Sequence, residues 1–192
     1  MRSILVAVAL VLAAGTALLA PALVEAQTVT GGSEYQPGAP TTTPAPTTPG
    51  VSPLPVTAQA IIGPDGNAVA PESAPKKVRQ IIAAGNRIAN KPYVYGGGHR
   101  SWRASGYDCS GSVSYALRGA GLLKSPLSSG DFIGWGQAGE GDWVTLYTKA
   151  SHMYMVVAGL RFDTSGRSRT GSRWQTAARP SRGYVVRHPR GL

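Results

Sequence analysis

The segment GYDCSGSVSYAL, residues 106–117, contains the only cysteine of this 192-residue chain. Asp108 directly precedes an apolar pattern typical of a helix and is predicted to cap it, which places Cys109 in the first turn. The unpaired N–H groups and the dipole at a helix start favour an anion and lower the pKa of a thiol. Cys109 is therefore a candidate thiolate nucleophile, with a buried inert thiol and an intermolecular disulfide as the alternatives.

A cysteine nucleophile needs a base within hydrogen-bond distance, and the chain has three histidines, His99, His152 and His188. His152 begins the alternating segment HMYMVV and is the best candidate, because strands hold side chains rigidly. His99 is a candidate for the rim of the site, and His188 is expected on the surface. Asp163 would lie near His152 if the two are on adjacent antiparallel strands, where it could orient the imidazole. Capping a turn is the alternative role for Asp163.

Two helices and a set of short strands are predicted to position these residues. The apolar residues Val78, Ile81, Ile82 and Ile88 share one helix face, and a second helix follows Asp108. Apolar residues then alternate with a period of two in residues 143–147, 152–157, 160–164 and 184–187. Helices that precede strands predict an α+β domain in which N-terminal helices pack on an antiparallel sheet.

The chain divides into three regions by composition. Residues 1–26 combine a basic start, an apolar run and a small-residue cleavage pattern, which predicts a secretory signal peptide. An uncleaved anchor is the alternative, whereas cleavage would leave a secreted protein without stable membrane insertion. Residues 27–74 are rich in Pro and Thr and are predicted to be a disordered linker. Residues 75–192 are predicted to form one folded domain.

The domain is strongly basic. From Lys76 to Leu192 the chain has 18 basic and five acidic residues, a formal charge of +13. This charge suits an anionic surface such as wall polymers, phospholipid or nucleic acid. No nucleic-acid partner is expected, because the aromatic and basic residues are not interleaved as in a recognised nucleic-acid fold. One cysteine and three scattered histidines do not have zinc-type spacing, so neither a metal nor another cofactor is expected.

Several motifs resemble those of a known family. The segments KPYVYGG (residues 91–97) and YDCSG (107–111) resemble the PYxxGG and DCSG motifs of NlpC/P60 cysteine peptidases. The segments GDWV (141–144) and SHMYMVV (151–157) resemble the strand pair that carries the histidine of that family. The resemblance covers residues 75–164. It implies a papain-like α+β fold and hydrolysis of peptide stems in peptidoglycan, commonly at the bond between D-γ-glutamyl and a diamino acid.

The resemblance also implies roles for individual residues. Cys109 would attack the carbonyl carbon, His152 would activate the thiol, and Asp163 would orient His152. Tyr93 would help the Cys109 N–H to stabilise the oxyanion. Substrate-binding roles are expected for Asp108, Ser110, Gly96 and Gly97, although Asp108 has a second expected role as the helix cap.

Three features depart from the family pattern. The third catalytic position is more often His, Asn or Gln; the usual glycine of the histidine strand is missing; and HRSWRAS (residues 99–105) lengthens the loop before Cys109. Two alternatives remain open beside a secreted, wall-associated peptidase: an inactive wall-binding module, or an amidase or acyltransferase on the same fold. Peptidoglycan stem peptides are the expected partner, and anionic wall polymers are further candidates.

Overall fold

The computed structural model describes residues 58–192, so the predicted signal peptide and most of the predicted linker lie outside the described residues. The longer helices are α1 (Lys76–Ile88) and α2 (Cys109–Gly119), and α3 (Arg167–Thr170) is a single turn. A 3₁₀ helix spans Asp131–Gly134. The strands are β1 (Ile61–Ile62), β2 (Ala68–Val69), β3 (Gln137–Ala138), β4 (Val144–Lys149), β5 (His152–Val157), β6 (Leu160–Phe162), β7 (Trp174–Gln175) and β8 (Val185–His188).

Six of the strands form one antiparallel sheet in the order β3-β8-β4-β5-β6-β7. The two central hairpin strands pair over their whole length, from Val144 opposite Val157 to Lys149 opposite His152. Helices α1 and α2 precede this sheet in the chain and pack on it, which confirms the predicted α+β class. The predicted strands also form, with ends that differ by a few residues. Within residues 58–192, no helix is both long and apolar enough to cross a membrane.

The core lies between the helix pair and the sheet. Helix α1 buries the predicted face of Val78, Ile81, Ile82 and Ile88, and it packs against α2, which in turn packs on β5. Gly85 faces the sheet, where a Cβ atom would overlap the indole ring of Trp174. The glycine therefore allows α1 to lie very close to the sheet at this point. Burial of the apolar side chains of α1 stabilises the packing of the helix on the sheet.

Residues 58–74 are part of the folded domain, so the folded region begins earlier than the predicted boundary at 75. The hairpin of β1 and β2 joins the domain through hydrogen bonds, because the Ala60 N–H donates to the Ala158 carbonyl at 2.8 Å. The Asn86 side chain pairs with both the N–H and the carbonyl of Ala68, at 3.0 and 2.9 Å. Both alanines are buried. These contacts offset the small apolar area, which is the feature that had predicted disorder.

Candidate active site

Cys109 is the first residue of α2 and is half-buried. The preceding Asp108 has extended backbone, and its Oδ1 accepts a hydrogen bond from the Gly111 N–H at 2.7 Å, as in an N-terminal cap. A Cβ atom at Gly111 would overlap the Gly97 carbonyl oxygen. The glycine loop therefore lies directly on the first turn of α2, and the cysteine is held between this loop and β5.

The structure brings His152 and Asp163 to Cys109. His152 begins β5, and Asp163 follows β6, which pairs with β5 across the turn at Ala158 and Gly159. The Nε2 of His152 lies 3.1 Å from Oδ1 of Asp163. The imidazole also shares a hydrogen bond with the Cys109 thiol. Since Nε2 is the nitrogen at Asp163, Nδ1 is the one available to the sulfur, and His152 lies between the thiol and the carboxylate.

These contacts shift the protonation of both partners. Burial raises the pKa of the Cys109 thiol, but the hydrogen bonds from His152 and from the Met153 N–H lower it more, so the net change is downward from 9.0. Burial lowers the pKa of His152, but hydrogen bonds to Asp163 and Cys109 and the charges of both raise it to about 9. The two shifts together favour the thiolate–imidazolium form of the pair.

Asp163 is fully buried, with a side chain that is 0% exposed. Burial raises its pKa, but the hydrogen bonds from His152 and the Ser165 N–H, together with the charges of His152 and Arg179, lower it overall. Its Oδ2 lies 2.9 Å from Nη1 of Arg179 and 3.7 Å from Nε of Arg161. A buried carboxylate needs such partners to stay charged, so the arginines keep Asp163 an anion beside His152.

Arg179 is itself held by aromatic rings. Its guanidinium lies 5.5 Å from the ring centre of Tyr154 and 6.0 Å from that of Tyr184. Arg179 was not predicted from the sequence, because it belongs to the turn-rich segment ARPSRG, whose arginines look like ordinary surface charges. Only the local pattern RFD, with Arg161 two residues before Asp163, hinted at a charged neighbour.

A cavity of about 530 Å³ opens beside the sulfur. It is lined by Tyr93, Tyr95, Gly96, His99, Asp108, Cys109, Ser110, Ser128, Ser129, Ala150 and Ser151. Tyr93 is 52% exposed. Its pKa is raised by burial first and then by the charge of Cys109, so the two groups interact across the cavity. Tyr93 and Cys109 therefore share one cavity.

The residues expected to bind substrate occupy different places. Gly96 and Ser110 line the cavity; Gly97 is not among the lining residues, and its backbone packs on Gly106 and Gly111. Asp108 also lines the cavity, but its oxygens are occupied within the protein. Oδ2 accepts the Gly96 N–H at 3.0 Å, and Oδ1 lies 3.1 Å from Nε2 of His99.

The two other histidines occupy different places. His99 lines the cavity, where its Nε2 is also 3.2 Å from the Ser110 hydroxyl. His188 is in β8, and its Nδ1 lies 3.1 Å from the Gly139 carbonyl oxygen, away from the catalytic cavity. Only His152 therefore contacts the cysteine among the three. Among residues 58–192, no group of three or more His, Cys, Asp or Glu side chains is arranged to hold a metal ion.

Arg173 connects the elements that frame the site, and sequence reasoning also missed it. It is fully buried, and it donates to the Ile88 carbonyl at 2.6 Å, the Tyr107 carbonyl at 3.0 Å and the Ser112 hydroxyl at 2.9 Å. Burial lowers its pKa to about 10, so it remains a cation at neutral pH. One side chain thus ties the end of α1 to the loop and the first turn of α2.

The chain resembles solved structures at low sequence identity. The P60 domain of an antigen from M. avium subspecies paratuberculosis is 23% identical with a TM-score of 0.46, over 58% of this chain and 94% of that one. RipB, a peptidoglycan hydrolase of Mycobacterium tuberculosis, is 24% identical with a TM-score of 0.47, over 60% and 68% of the two chains. A hypothetical invasion protein of the same species is 22% identical with a TM-score of 0.42, over 58% and 62%. No protein-family model matches the chain, and no curated protein matches it significantly.

Proposed function

We propose that this protein is a secreted cysteine endopeptidase of the NlpC/P60 type that hydrolyses amide bonds in peptidoglycan stem peptides. The observation that carries the proposal is the hydrogen-bonded series Cys109, His152 and Asp163, in which the thiol pKa is lowered and the imidazole pKa is raised. An inert thiol would need neither a histidine at the sulfur nor a buried carboxylate behind that histidine.

The first half of the reaction forms an acyl-enzyme. The Cys109 thiolate attacks the carbonyl carbon, and the oxygen becomes an oxyanion that accepts hydrogen bonds from the Cys109 N–H and the Tyr93 hydroxyl. The Cys109 N–H belongs to the first turn of α2, where N–H groups have no intrahelical partner. The tetrahedral intermediate collapses, the C–N bond breaks, and His152 gives its Nδ1 proton to the leaving amine.

The second half releases the acid. Neutral His152 accepts a proton from water, and the resulting hydroxide attacks the thioester carbonyl. The C–S bond breaks, so Cys109 leaves as the thiolate and His152 remains an imidazolium. Asp163 keeps its charge throughout, because Arg179 and the Ser165 N–H stabilise the anion, and it holds the imidazole through Nε2.

The substrate class rests on the sequence motifs and on charge. The motifs around Tyr93, Cys109 and His152 resemble those of enzymes that cut peptide stems, commonly between D-γ-glutamyl and a diamino acid. The cavity beside Cys109 presents tyrosine rings together with hydroxyl, imidazole and carboxylate groups, a combination that suits a peptide with both apolar and charged groups. The basic domain would concentrate the enzyme on an anionic wall, which agrees with secretion and wall association.

The test uses residues 27–192, the chain that the predicted cleavage would leave. The intact protein and the Cys109→Ala variant are incubated with purified peptidoglycan and its stem peptides, and the products are identified by mass spectrometry. The intact protein should release fragments whose masses identify the bond, and Cys109→Ala should release none.

A histidine pair provides the matched control. His152→Ala should abolish cleavage, whereas His188→Ala, which removes a histidine far from the sulfur, should retain it. Fragments that carry an added acceptor would identify acyl transfer instead of hydrolysis. If the intact protein cuts nothing but sediments with peptidoglycan, the peptidase proposal is wrong and the wall-binding alternative takes its place.

A further inference from the structure

A second cavity, of about 580 Å³, lies outside the catalytic one. It is lined by Arg100, Ser101, Trp102, Arg103, Tyr115 and Arg118, none of which lines the catalytic cavity. Most of these residues come from the loop segment HRSWRAS, and the last two come from α2. Since α2 rises 1.5 Å per residue, Tyr115 and Arg118 lie roughly 9 and 14 Å beyond Cys109 along the helix. The second cavity therefore lies near the active site but has its own lining residues.

The arginines of this cavity lack acidic partners. Within residues 58–192, every ion pair involves Asp108 or Asp163, and none involves Arg100, Arg103 or Arg118. All three arginines are exposed, and no acidic residue lines the cavity. Three cations around one concave surface repel each other unless an anion binds between them.

The position of one guanidinium is fixed before any ligand binds. The Arg118 guanidinium carbon lies 4.7 Å from the ring centre of Trp102, a cation–π contact. Trp102 is itself half-buried, and its carbonyl accepts a hydrogen bond from the Tyr107 hydroxyl at 2.6 Å. Ser101 orders the same loop by accepting the Arg103 N–H at 3.1 Å. A ligand thus meets a partly ordered loop, which lowers the entropic cost of binding.

The chemistry of the lining favours a phosphate group. A carboxylate has two oxygens and is satisfied by a single guanidinium fork, whereas a phosphate presents more acceptor oxygens and can bind several arginines at once. Clusters of arginines are the usual means by which proteins recognise phosphate esters. The volume also exceeds the needs of a free phosphate ion and falls in the range of small-molecule sites, so the phosphate would carry an attached group.

The aromatic residues favour a sugar over a nucleobase as the attached group. Sequence-tolerant binding of bases needs exposed aromatic faces on which they stack. Here Trp102 is in contact with Arg118, and Tyr115 packs edge-on against Tyr107 with ring centres 5.3 Å apart. Both rings are half-buried, and Arg118 covers part of the Trp102 ring, which leaves little aromatic surface for a flat base to stack on.

From these observations we infer that Arg100, Arg103, Arg118 and Trp102 form a binding site for a sugar phosphate, carried on a phosphate-bearing glycan. This function goes beyond the proposed hydrolysis and does not depend on it. The site would hold the protein on the phosphate-bearing glycan. The catalytic cavity, which has other lining residues, would remain free for a peptide.

The test titrates ¹⁵N-labelled residues 27–192 with glucose 1-phosphate and follows the arginine Nε–H and tryptophan indole N–H signals by NMR. Inorganic phosphate, glucose and a short oligothymidylate serve as comparison ligands. Glucose 1-phosphate should shift the signals of Arg103, Arg118 and Trp102 saturably and bind more tightly than phosphate, and glucose should shift none. The double variant Arg103→Gln/Arg118→Gln should lose affinity at least about tenfold, since charged hydrogen bonds are lost.

A control variant that also loses two positive charges distinguishes a specific binding site from general electrostatic attraction. Arg169→Gln/Arg190→Gln removes two exposed arginines elsewhere, and it should change the affinity less than about twofold. An equal loss in both double variants, or no saturable shift, would overturn the site. Tighter binding of oligothymidylate at the same signals would overturn the sugar assignment. Alkylation of Cys109 should be unchanged in Arg103→Gln/Arg118→Gln, and a parallel loss there would show that the two cavities are not independent.

Discussion

Replacing Asp163 with asparagine tests whether a buried carboxylate supports the thiolate–imidazolium pair. Asn keeps the shape and removes the negative charge 3.1 Å from Nε2 of His152. Arg179 and Arg161 would then lie beside a neutral amide, and their charges would further disfavour an imidazolium. We therefore expect the pKa of His152 to fall and, with a weaker cation beside the sulfur, the pKa of Cys109 to rise.

The size of the effect follows from the pKa of His152. An increase from 6.5 to about 9 corresponds to about 3 kcal/mol of preferential stabilisation of the imidazolium, at about 1.4 kcal/mol per tenfold change. His152 is 17% exposed, so solvent screening reduces this figure only modestly. Asp163 and Cys109 share the stabilisation. Loss of about half of it would move the titration of the pair by at least about one pH unit.

Two assays follow these titrations. The alkylation rate of Cys109 against pH reports the thiolate, and its acidic limb should move towards 9.0 in Asp163→Asn. The basic limb of peptide cleavage reports loss of the imidazolium proton and should move to lower pH, so the bell-shaped profile narrows. Asp142→Asn makes the same chemical change at an exposed residue and should leave both limbs in place.

A double variant tests whether Arg179 acts on His152 through its charge. In Asp163→Asn/Arg179→Gln the nearest unmatched guanidinium is also removed, so His152 should recover part of its raised pKa. Profiles of Asp163→Asn that coincide with those of the intact protein would refute the reasoning. A double variant with a lower His152 pKa than the single variant would show that Arg179 does not act through its charge.

Three further predictions concern the oxyanion, the core and the pH dependence of stability. Tyr93→Phe should lower kcat about a hundredfold with little change in KM, because the phenol is proposed to contact the oxyanion and not the bound substrate. Steady-state kinetics on a stem peptide would measure both constants. Arg173→Met should destabilise the fold by at least about 3 kcal/mol in urea unfolding, because several buried carbonyls lose their donor, whereas exposed Arg169→Met should change stability little. The stability that His152 gains from its raised pKa is complete below pH 6.5 and is lost as pH rises through about 9, so the Tm difference between the intact protein and His152→Gln should decrease over that window.

Much of the framework could be predicted from the sequence. The apolar periodicity of α1, the Asp108 cap and the alternating strands are local signals, and each has a direct structural consequence. The positions of His152 and Asp163 follow from one hairpin, since a tight turn at Ala158 and Gly159 fixes which residues of β5 and β6 are neighbours. The expected proximity of the two side chains therefore needed only local information.

Other features depend on contacts that no local pattern predicts. The fully buried residues of the β1–β2 hairpin are alanines, and the hairpin is held by the side chain of Asn86 and by Ala158, both distant in sequence. Arg173 and Arg179 look like surface charges within a basic segment, but one is buried among backbone carbonyls and the other reaches Asp163. Their positions depend on the course of residues 163–184, which has few apolar residues and many turns.

The charges of Asp163 and Arg179 depend on each other. A neutral side chain beside His152 would need no counter-charge, and Arg179 would then lie unpaired near an imidazolium. A buried carboxylate without Arg179 would be expensive to ionise, because desolvation opposes its charge. With Cys109 as a thiolate and His152 as an imidazolium, the signs alternate from Cys109 through His152 and Asp163 to Arg179, so each ion is next to its opposite. An aspartate at this position is therefore compatible with a working thiolate, provided that the segment carrying Arg179 remains on Tyr154 and Tyr184.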